Sequence, residues 1–254
     1  MPIKQIVGIP GVPGAVGIWD DDPDAISAHA ALTSGPHDLG ATWFSKYIIR
    51  GKARSGIPAG QACWFAEDFT DIARWQKTTG TADMVAVTTL PGGVGELAVA
   101  AGDSVAYRNG DATLGAPTVC LGDGRWYMAG RLAILAVPAD GAVAVGLNGA
   151  GGNVAYMGAL SMLEPVKFVA MLNGSVGLEL IISSVSIDTG WHDFEAWCDG
   201  STYYLAVDGE TPVSYVSAGP PTGGLRVEIG CSAGGALGST LQIDKLLYVF
   251  PQAA

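Results

Sequence analysis

Residues 189–210 read TGWHDFEAWCDGSTYYLAVDGE, and this stretch decides the fold class. Two Asp-Gly pairs, Asp199-Gly200 and Asp208-Gly209, separate runs that are rich in aromatic and β-branched residues. Such runs are typical of β-strands, and Asp-Gly tolerates the positive φ angles that tight hairpin turns require. The stretch therefore predicts three antiparallel strands joined by two hairpin turns.

The same turn signal recurs upstream, in five further pairs: Asn109-Gly110, Asp123-Gly124, Asp140-Gly141, Asn148-Gly149 and Asn173-Gly174. Two of these pairs lie between strand-like runs, which predicts hairpins of 131–137 with 142–147 and of 166–172 with 176–183. Further single runs are 62–66, 84–89, 225–230 and 241–250. The sequence thus predicts an all-β protein of about 12 strands in an antiparallel two-sheet sandwich. Its one predicted helix is a short turn over residues 68–75, capped by Asp68 or Thr70.

Composition limits the class of protein. The chain has 254 residues, of which 49% are apolar and 15% charged, with 37 glycines and 14 prolines. This apolar content supports a large core, whereas the glycine and proline content excludes a coiled coil. A net charge of −11 repels phosphate, so we expect no nucleic-acid partner. Residues 141–163 are uncharged, but six glycines interrupt them, so they predict a buried hairpin and no membrane span.

Three segments resemble a known fold family. They resemble parts of the concanavalin A-like lectin/glucanase sandwiches, which include laminin-G-like domains. The run 189–210 resembles the hairpins of these proteins, WFAEDFTDIARWQ at 64–76 resembles their opening strand, and LQIDKLLYVF at 241–250 resembles their closing strand. The resemblance covers residues 60–250 in the right order and implies a concanavalin A-like jelly roll. It implies no single function, because this superfamily contains lectins, hydrolases and structural modules.

The hydrolase branch of that superfamily carries Glu-x-Asp on one strand, so that alternate carboxylates project into a sugar groove. None of the seven glutamates of this chain has an aspartate two residues later. We therefore expect no catalytic residues and no enzymatic activity.

Asp193 and Glu195 share one face of a predicted strand with Trp191 and Trp197. A carboxylate pair between aromatic rings suggests a glycan contact, for which Trp191, Trp197 and Tyr203 are the candidates. The alternative is an ordinary solvent-exposed face, with His192, Phe194, Ala196 and Cys198 pointing into the core.

Metal and cofactor sites are not predicted. The three histidines have no nearby Cys or His partner, and the aspartates of WDDDPDA at 19–25 lack the glycine and glutamate of a calcium loop. The four cysteines, which are Cys63, Cys120, Cys198 and Cys231, are widely spaced and are expected to be small buried side chains.

The N-terminal residues 8–17 read GIPGVPGAVG, with glycines at every third position: Gly8, Gly11, Gly14 and Gly17. This is the Gly-X-Y period, in which proline favours polyproline II geometry. Two readings stay open: an extended arm, or an arm near a three-fold axis or across neighbouring subunits.

A basic and aromatic segment follows at 43–54. Residues 1–58 are neutral overall, so the whole net charge of −11 belongs to residues 59–254. The segment contains Trp43, Phe44, Lys46, Tyr47, Arg50, Lys52 and Arg54. It suits docking on the acidic body of a neighbouring subunit, or folding back on its own sandwich as an extra strand.

These observations predict an extended N-terminal arm at 1–58 and a sandwich domain at 59–254. Such an architecture resembles bacteriophage virion proteins, and we expect a capsid decoration or head-fibre protein on the virion surface, made in the host cytoplasm. Its expected partners are other copies of itself, as a trimer, and a capsid or tail protein. The alternative is a carbohydrate-binding module of a tail fibre, and a glycoside hydrolase is the least favoured.

Overall fold

The computed structural model describes residues 7–8, 16–17, 38–58, 61–73, 75–87, 93–109, 119–120, 124–136, 140–149, 154–161, 164–174, 177–216, 224–234 and 237–251. Within them the chain forms two eight-stranded antiparallel sheets, a separate two-stranded pair and a helix, so the predicted two-sheet sandwich is confirmed. Among these residues no helix combines the length and apolarity that crossing a membrane requires.

In chain order the elements are β1 (Val7–Gly8), β2 (Val16–Gly17), α1 (Asp38–Ser55), β3 (Ala62–Glu67), β4 (Trp75–Thr79), β5 (Met84–Ala86), β6 (Gly95–Val99), β7 (Ser104–Asn109), β8 (Val119–Cys120), β9 (Arg125–Ala136), β10 (Gly141–Gly149), β11 (Val154–Leu160), β12 (Lys167–Gly174), β13 (Gly177–Ser186), β14 (Trp191–Asp199), β15 (Thr202–Val207), β16 (Val213–Val216), β17 (Gly224–Ala233) and β18 (Ser239–Pro251).

Two eight-stranded sheets contain most of these strands. Sheet I has the order β16-β15-β14-β9-β18-β6-β5, with β3 also paired to β18. Sheet II has the order β13-β12-β11-β10-β17-β7-β4, with β8 also paired to β17. The segments that resemble the opening and closing strands are neighbours, since Leu247 of β18 lies opposite Ala66 of β3.

Three predicted hairpins are confirmed. The Asp199-Gly200 turn joins β14 to β15, the Asp208-Gly209 turn joins β15 to β16, and β12 pairs with β13 next to Asn173-Gly174. The uncharged stretch 141–163 also forms the expected hairpin, of β10 with β11.

The predicted hairpin across Asp140-Gly141 is wrong. β9 belongs to sheet I and β10 to sheet II, so this turn carries the chain from one sheet to the other. Both edges of β9 are already paired, with β14 and with β18, and β10 is likewise paired on both sides. A local turn signal does not show which edges are free, and this is why the sequence failed here.

The predicted helical turn at 68–75 is also wrong. The carboxylate of Asp68 accepts from the backbone N–H of Thr70 (3.2 Å), and that of Asp71 accepts from Ala73 N–H (2.9 Å). These local bonds compete with helix formation. Phe69 has a φ of 56° and is fully buried, stacked on Trp75 with ring centroids 5.5 Å apart.

Packing divides the apolar residues into two clusters. The larger lies between the sheets and includes Phe168, Phe194 and Leu205, none of which is exposed. His192, Phe194, Ala196 and Cys198 point into this core, as predicted, and Cys231 is buried there too. The side chains of Cys63 and Cys120 lie outside the described part of the chain. The second cluster lies on the outer face of sheet I, beneath α1.

The N-terminal segment is described only in part. β1 and β2, at the two ends of the Gly-X-Y stretch, pair antiparallel, with Val7 opposite Gly17 and Gly8 opposite Val16. Gly11 and Gly14 lie outside the described residues. Where 1–58 was expected to be an extended arm, residues 38–55 form a helix instead.

Candidate functional site

Helix α1 carries the basic and aromatic segment and lies against the chain's own sandwich. Trp43, Tyr47 and Ile48 are buried against sheet I, together with Tyr127 and Val249 of that sheet. The segment was expected either to dock on a neighbouring subunit or to fold back on its own sandwich as a strand. It folds back on its own sandwich, but as a helix. Phe44 packs partly buried against the same cluster, while Lys46 stays exposed.

Asp193 and Glu195 on β14 are the residues that receive α1. Trp43 Nε1 donates to one oxygen of Asp193 (3.2 Å) and the Tyr47 hydroxyl donates to the other (2.9 Å). Burial, followed by the negative charge of Asp193, raises the pKa of Tyr47 well above its ordinary value. Tyr47 is thus a neutral donor at all physiological pH values.

Glu195 is 1% exposed and accepts three hydrogen bonds. Arg50 Nη1 donates to Oε1 (2.8 Å), Arg54 Nη1 donates to Oε2 (2.6 Å), and the Tyr127 hydroxyl also donates to Oε2 (2.7 Å). A buried carboxylate is tolerated only when it is paired and hydrogen-bonded in this way. The expected solvent-exposed carboxylate face is therefore wrong, because α1 covers it.

The three aromatic residues proposed as glycan contacts are not brought together on an exposed surface. Trp197 is 5% exposed; it stacks on Tyr204 with centroids 4.8 Å apart, and Arg54 lies 4.4 Å over its ring. Tyr203 is 1% exposed and lies in the core between the sheets. Trp191 alone of the three is partly exposed. Trp197 and Tyr203 are therefore covered in this structure and offer no surface to a sugar.

Sheet II presents a different outer face. Cross-strand register places Tyr156 opposite Gly146, Gly146 opposite Glu228, and Glu228 opposite Arg108. One row across four neighbouring strands therefore carries an aromatic ring, a glycine, a carboxylate and a guanidinium. Asn148 lies two residues from Gly146 on the same strand and so on the same face.

Glu228 holds this row together, and we call Arg108, Asn148, Tyr156 and Glu228 the Glu228 array. Glu228 Oε2 accepts from Arg108 Nε (2.7 Å), and Glu228 Oε1 accepts from Asn148 Nδ2 (2.9 Å) and from the Tyr156 hydroxyl (2.7 Å). Burial first, and then the charge of Glu228, raise the pKa of Tyr156 above its ordinary value. Tyr156 is therefore fixed as a neutral donor.

The Glu228 array is accessible although its carboxylate is not. Glu228 is 8% exposed, whereas the Arg108 side chain is 36% exposed and Asn148 and Tyr156 are partly exposed. The array thus presents a guanidinium, an amide and a phenol ring in fixed positions, which are the groups that bind polar ligands in protein pockets. Among the described residues no cluster of three or more His, Cys, Asp or Glu side chains is suited to a metal ion.

Sequence reasoning missed the Glu228 array, since its members lie up to 120 positions apart. Each lies at an alternating position of a strand that is rich in apolar residues, in SVAYRN, GAVAVGLNG, VAYMGAL and GLRVEIGCSA. That alternation indicates which face each residue occupies. It does not indicate which strands are neighbours, so the row became visible only in the folded sheet.

Comparison with solved structures gives the same architecture. A Crh5 transglycosylase superposes with a TM-score of 0.51 at 14% identity, over 75% of this chain and 85% of that one. The seed lectin of Lotus tetragonolobus superposes with a TM-score of 0.51 at 10% identity, over 75% of this chain and all of the lectin. The chain has the concanavalin A-like lectin/glucanase fold.

A third concanavalin A-like structure, the β-glucanase of Bacillus licheniformis, has a TM-score of 0.51 at 12% identity, over 73% of this chain and 97% of that one. No family model matches the sequence, and no curated protein matches it either. The expectation that the chain is not an enzyme is corrected by these neighbours, because concanavalin A-like structures equally similar to it are a transglycosylase and a glucanase. The missing Glu-x-Asp pattern excludes one arrangement of carboxylates and does not decide the class of protein.

Proposed function

We propose that the protein binds carbohydrate, and that the Glu228 array is its binding site. The observation that carries the proposal is the difference between the two outer faces. Helix α1 covers Asp193 and Glu195 of sheet I, whereas the array on sheet II keeps the Arg108 side chain 36% exposed beside a partly exposed tyrosine. Sugars are bound by such combinations of a ring surface and fixed polar groups.

The fold supports the same proposal. Lectins, transglycosylases and glucanases are among the structures that share it. A glycan-binding site in this chain requires an outer face that is rigid and polar. Glu228 supplies the rigidity, because it fixes Arg108, Asn148 and Tyr156 through three hydrogen bonds from three different strands.

A glycan screen with the full-length protein tests this proposal. We expect retention of a defined set of glycans, and a loss of at least about tenfold in affinity for Tyr156→Ala. The matched control is Tyr215→Ala, since Tyr215 is 43% exposed on β16 of sheet I. Binding by Tyr156→Ala that equals the wild type, or a folded wild type that retains no glycan, would overturn it.

A second proposal is that the protein is a structural component of a phage virion, and it rests on the Gly-X-Y stretch at 8–17. Since α1 is bound to its own sandwich, the contact with other copies or with a capsid or tail protein would come from residues 1–37. We expect that removing residues 1–37 leaves a folded protein that no longer joins purified particles. Unchanged incorporation of that truncated protein would contradict the proposal.

A further inference from the structure

We infer that the Glu228 array selects sugars that carry a carboxylate, so that the protein prefers acidic glycans to neutral ones. This inference rests on the proposed function and names the class of ligand. Its basis is the balance of donors and acceptors in the array, together with the free space beside it.

Glu228 is buried, accepts three hydrogen bonds and acts as a positioning residue. Its two oxygens accept from Arg108, Asn148 and Tyr156, and only 8% of the residue is exposed. A sugar hydroxyl needs an acceptor for its proton as well as a donor for its oxygen. The buried carboxylate offers little of that. The accessible groups of the array carry more donors, on Arg108, than acceptors, on the oxygens of Asn148 and Tyr156, and so match an anion better than an uncharged sugar.

Arg108 is the group that a carboxylate would contact. Glu228 holds the guanidinium through Nε, and the four N–H groups on Nη1 and Nη2 are not needed for this pair. A planar guanidinium binds a carboxylate through two parallel hydrogen bonds, which is stronger and more directional than a bond to a hydroxyl. The Arg108 side chain is 36% exposed and so accessible to a ligand.

Space for a ring lies next to Arg108. Gly230 follows Glu228 by two residues on the same face, and its cross-strand neighbours are Ala144 and Ala106. A Cβ added to Gly230 would meet one atom within 4 Å, the carbonyl oxygen of Val105 at 3.8 Å. The strand surface beside the guanidinium therefore carries only small side chains, which leaves room for a sugar ring to lie on it.

The charge of the whole chain makes Arg108 decisive. A net charge of −11 repels any anionic ligand at long range, so a carboxylate is bound only where a fixed cation outweighs that repulsion. Removing Arg108 therefore reduces the affinity for an acidic sugar much more than the affinity for its neutral counterpart.

The test uses two pairs of ligands, each with an acidic and a neutral member. Polygalacturonate is compared with its methyl ester, and sialyllactose is compared with lactose. Dissociation constants are measured for the full-length wild type, Arg108→Gln, Arg108→Lys and the control Arg131→Gln. Arg131 is a suitable control because its side chain is 44% exposed on sheet I and pairs with Asp244 at 3.6 Å.

We expect the wild type and Arg131→Gln to bind the acidic member of at least one pair about tenfold or more tightly than the neutral member. Arg108→Gln should lose this preference. Arg108→Lys should keep part of it, since lysine retains the positive charge but cannot form the two parallel hydrogen bonds to a carboxylate. Thermal unfolding of each variant confirms that it is folded.

Two results overturn the inference and differ in what they say about the proposed function. Equal binding of acidic and neutral members, or a preference that survives in Arg108→Gln, shows that glycan binding stands and that carboxylate selection by Arg108 is wrong. Absence of binding to all four ligands and to every glycan of the screen shows that both are wrong.

Discussion

At the scale of single residues, Glu195 and Glu228 show how neighbours determine what a carboxylate does. Both lie on outward-facing positions of central strands and both accept from arginine and tyrosine. Glu195 receives two arginines from α1 and is 1% exposed, so it fixes a helix to a sheet. Glu228 receives one arginine from a neighbouring strand and leaves that arginine accessible.

Replacing Glu195 should weaken the attachment of α1. In Glu195→Gln the negative charge is lost while Arg50 and Arg54 keep theirs, and breaking such a buried pair costs about 3–5 kcal/mol. We expect the lower end of this range, because the two arginine side chains are 39% and 28% exposed and regain water. Urea unfolding measures the change, with Glu96→Gln as control, since Glu96 is partly exposed and accepts from the neutral Gln242. Equal effects of the two substitutions would contradict this account.

Gly51 is the point of closest approach between α1 and sheet I. An added Cβ would lie 2.6 Å from Tyr127 Cδ1 and 2.9 Å from Val249 Cγ2, and both of these side chains are fully buried. Alanine in place of glycine inside a helix gains about 1 kcal/mol from propensity, whereas overpacking a core costs about 1–3 kcal/mol. We therefore expect Gly51→Ala to lower the free energy of unfolding. A rise in that free energy would show that the contact is looser than the structure indicates.

At the scale of elements, α1 belongs to the sandwich. Trp43, Tyr47 and Gly51 follow each other at intervals of four, as do Lys46, Arg50 and Arg54 on the neighbouring stripe. One stripe packs on sheet I, and the arginines of the other reach Glu195. The boundary between arm and domain expected at residue 58 therefore separates α1 from the sheet with which it shares a buried face.

Two truncations separate the arm from the helix. Removing residues 1–58 exposes the apolar face of sheet I and deletes the buried side chains of Trp43, Tyr47, Ile48 and Ile57. Each such side chain contributes about 1.5–3 kcal/mol when buried, so this protein should unfold at a clearly lower temperature and bind a hydrophobic dye. Removing residues 1–37 leaves this face covered and is the control. The same melting temperature for both truncations would show that α1 adds nothing to stability.

At the scale of the whole molecule, the carboxylate of Glu210 ties the two sheets together, and carboxyl groups with lowered pKa values make stability depend on pH. Glu210, beyond β15 of sheet I, accepts from Ser183 and Ser184 of β13 in sheet II. Burial raises the pKa of Glu210, but these hydrogen bonds outweigh it and hold the pKa below its ordinary value. The pKa of Asp188 is also lowered, first by the N–H of Gly190 and then by His192.

The sign of the pH effect follows from these lowered pKa values. A carboxyl group whose pKa is lower in the folded state stabilises the protein above its unfolded pKa, and this contribution is lost as the pH falls through the folded pKa. We expect the free energy of unfolding to fall between about pH 5 and pH 3. Glu210→Gln should be less stable than the wild type at pH 7 and should lose less on acidification. Parallel pH curves for the two proteins would contradict this.

Much of the fold is predictable because strands and hairpin turns are local. Asp199-Gly200 and Asp208-Gly209 determine two turns from the conformations that two residues tolerate, and alternation assigns His192 and Phe194 to the core. Helix α1 was missed since Gly40, Gly51 and a pair of isoleucines lower its helix propensity. The intervals of four in its aromatic and basic residues were the available signal.

The sequence by itself determined the class of fold, the main hairpins and which residues of each strand face inward, because these depend on dihedral preference and on alternation along a few residues. The tertiary structure alone decided that Asp140-Gly141 joins two sheets, that α1 covers Asp193 and Glu195, and that Arg108, Asn148, Tyr156 and Glu228 form one array. These outcomes depend on which strands become neighbours. That choice is made by burial and hydrogen bonding across more than a hundred positions of the chain, and no local preference encodes it.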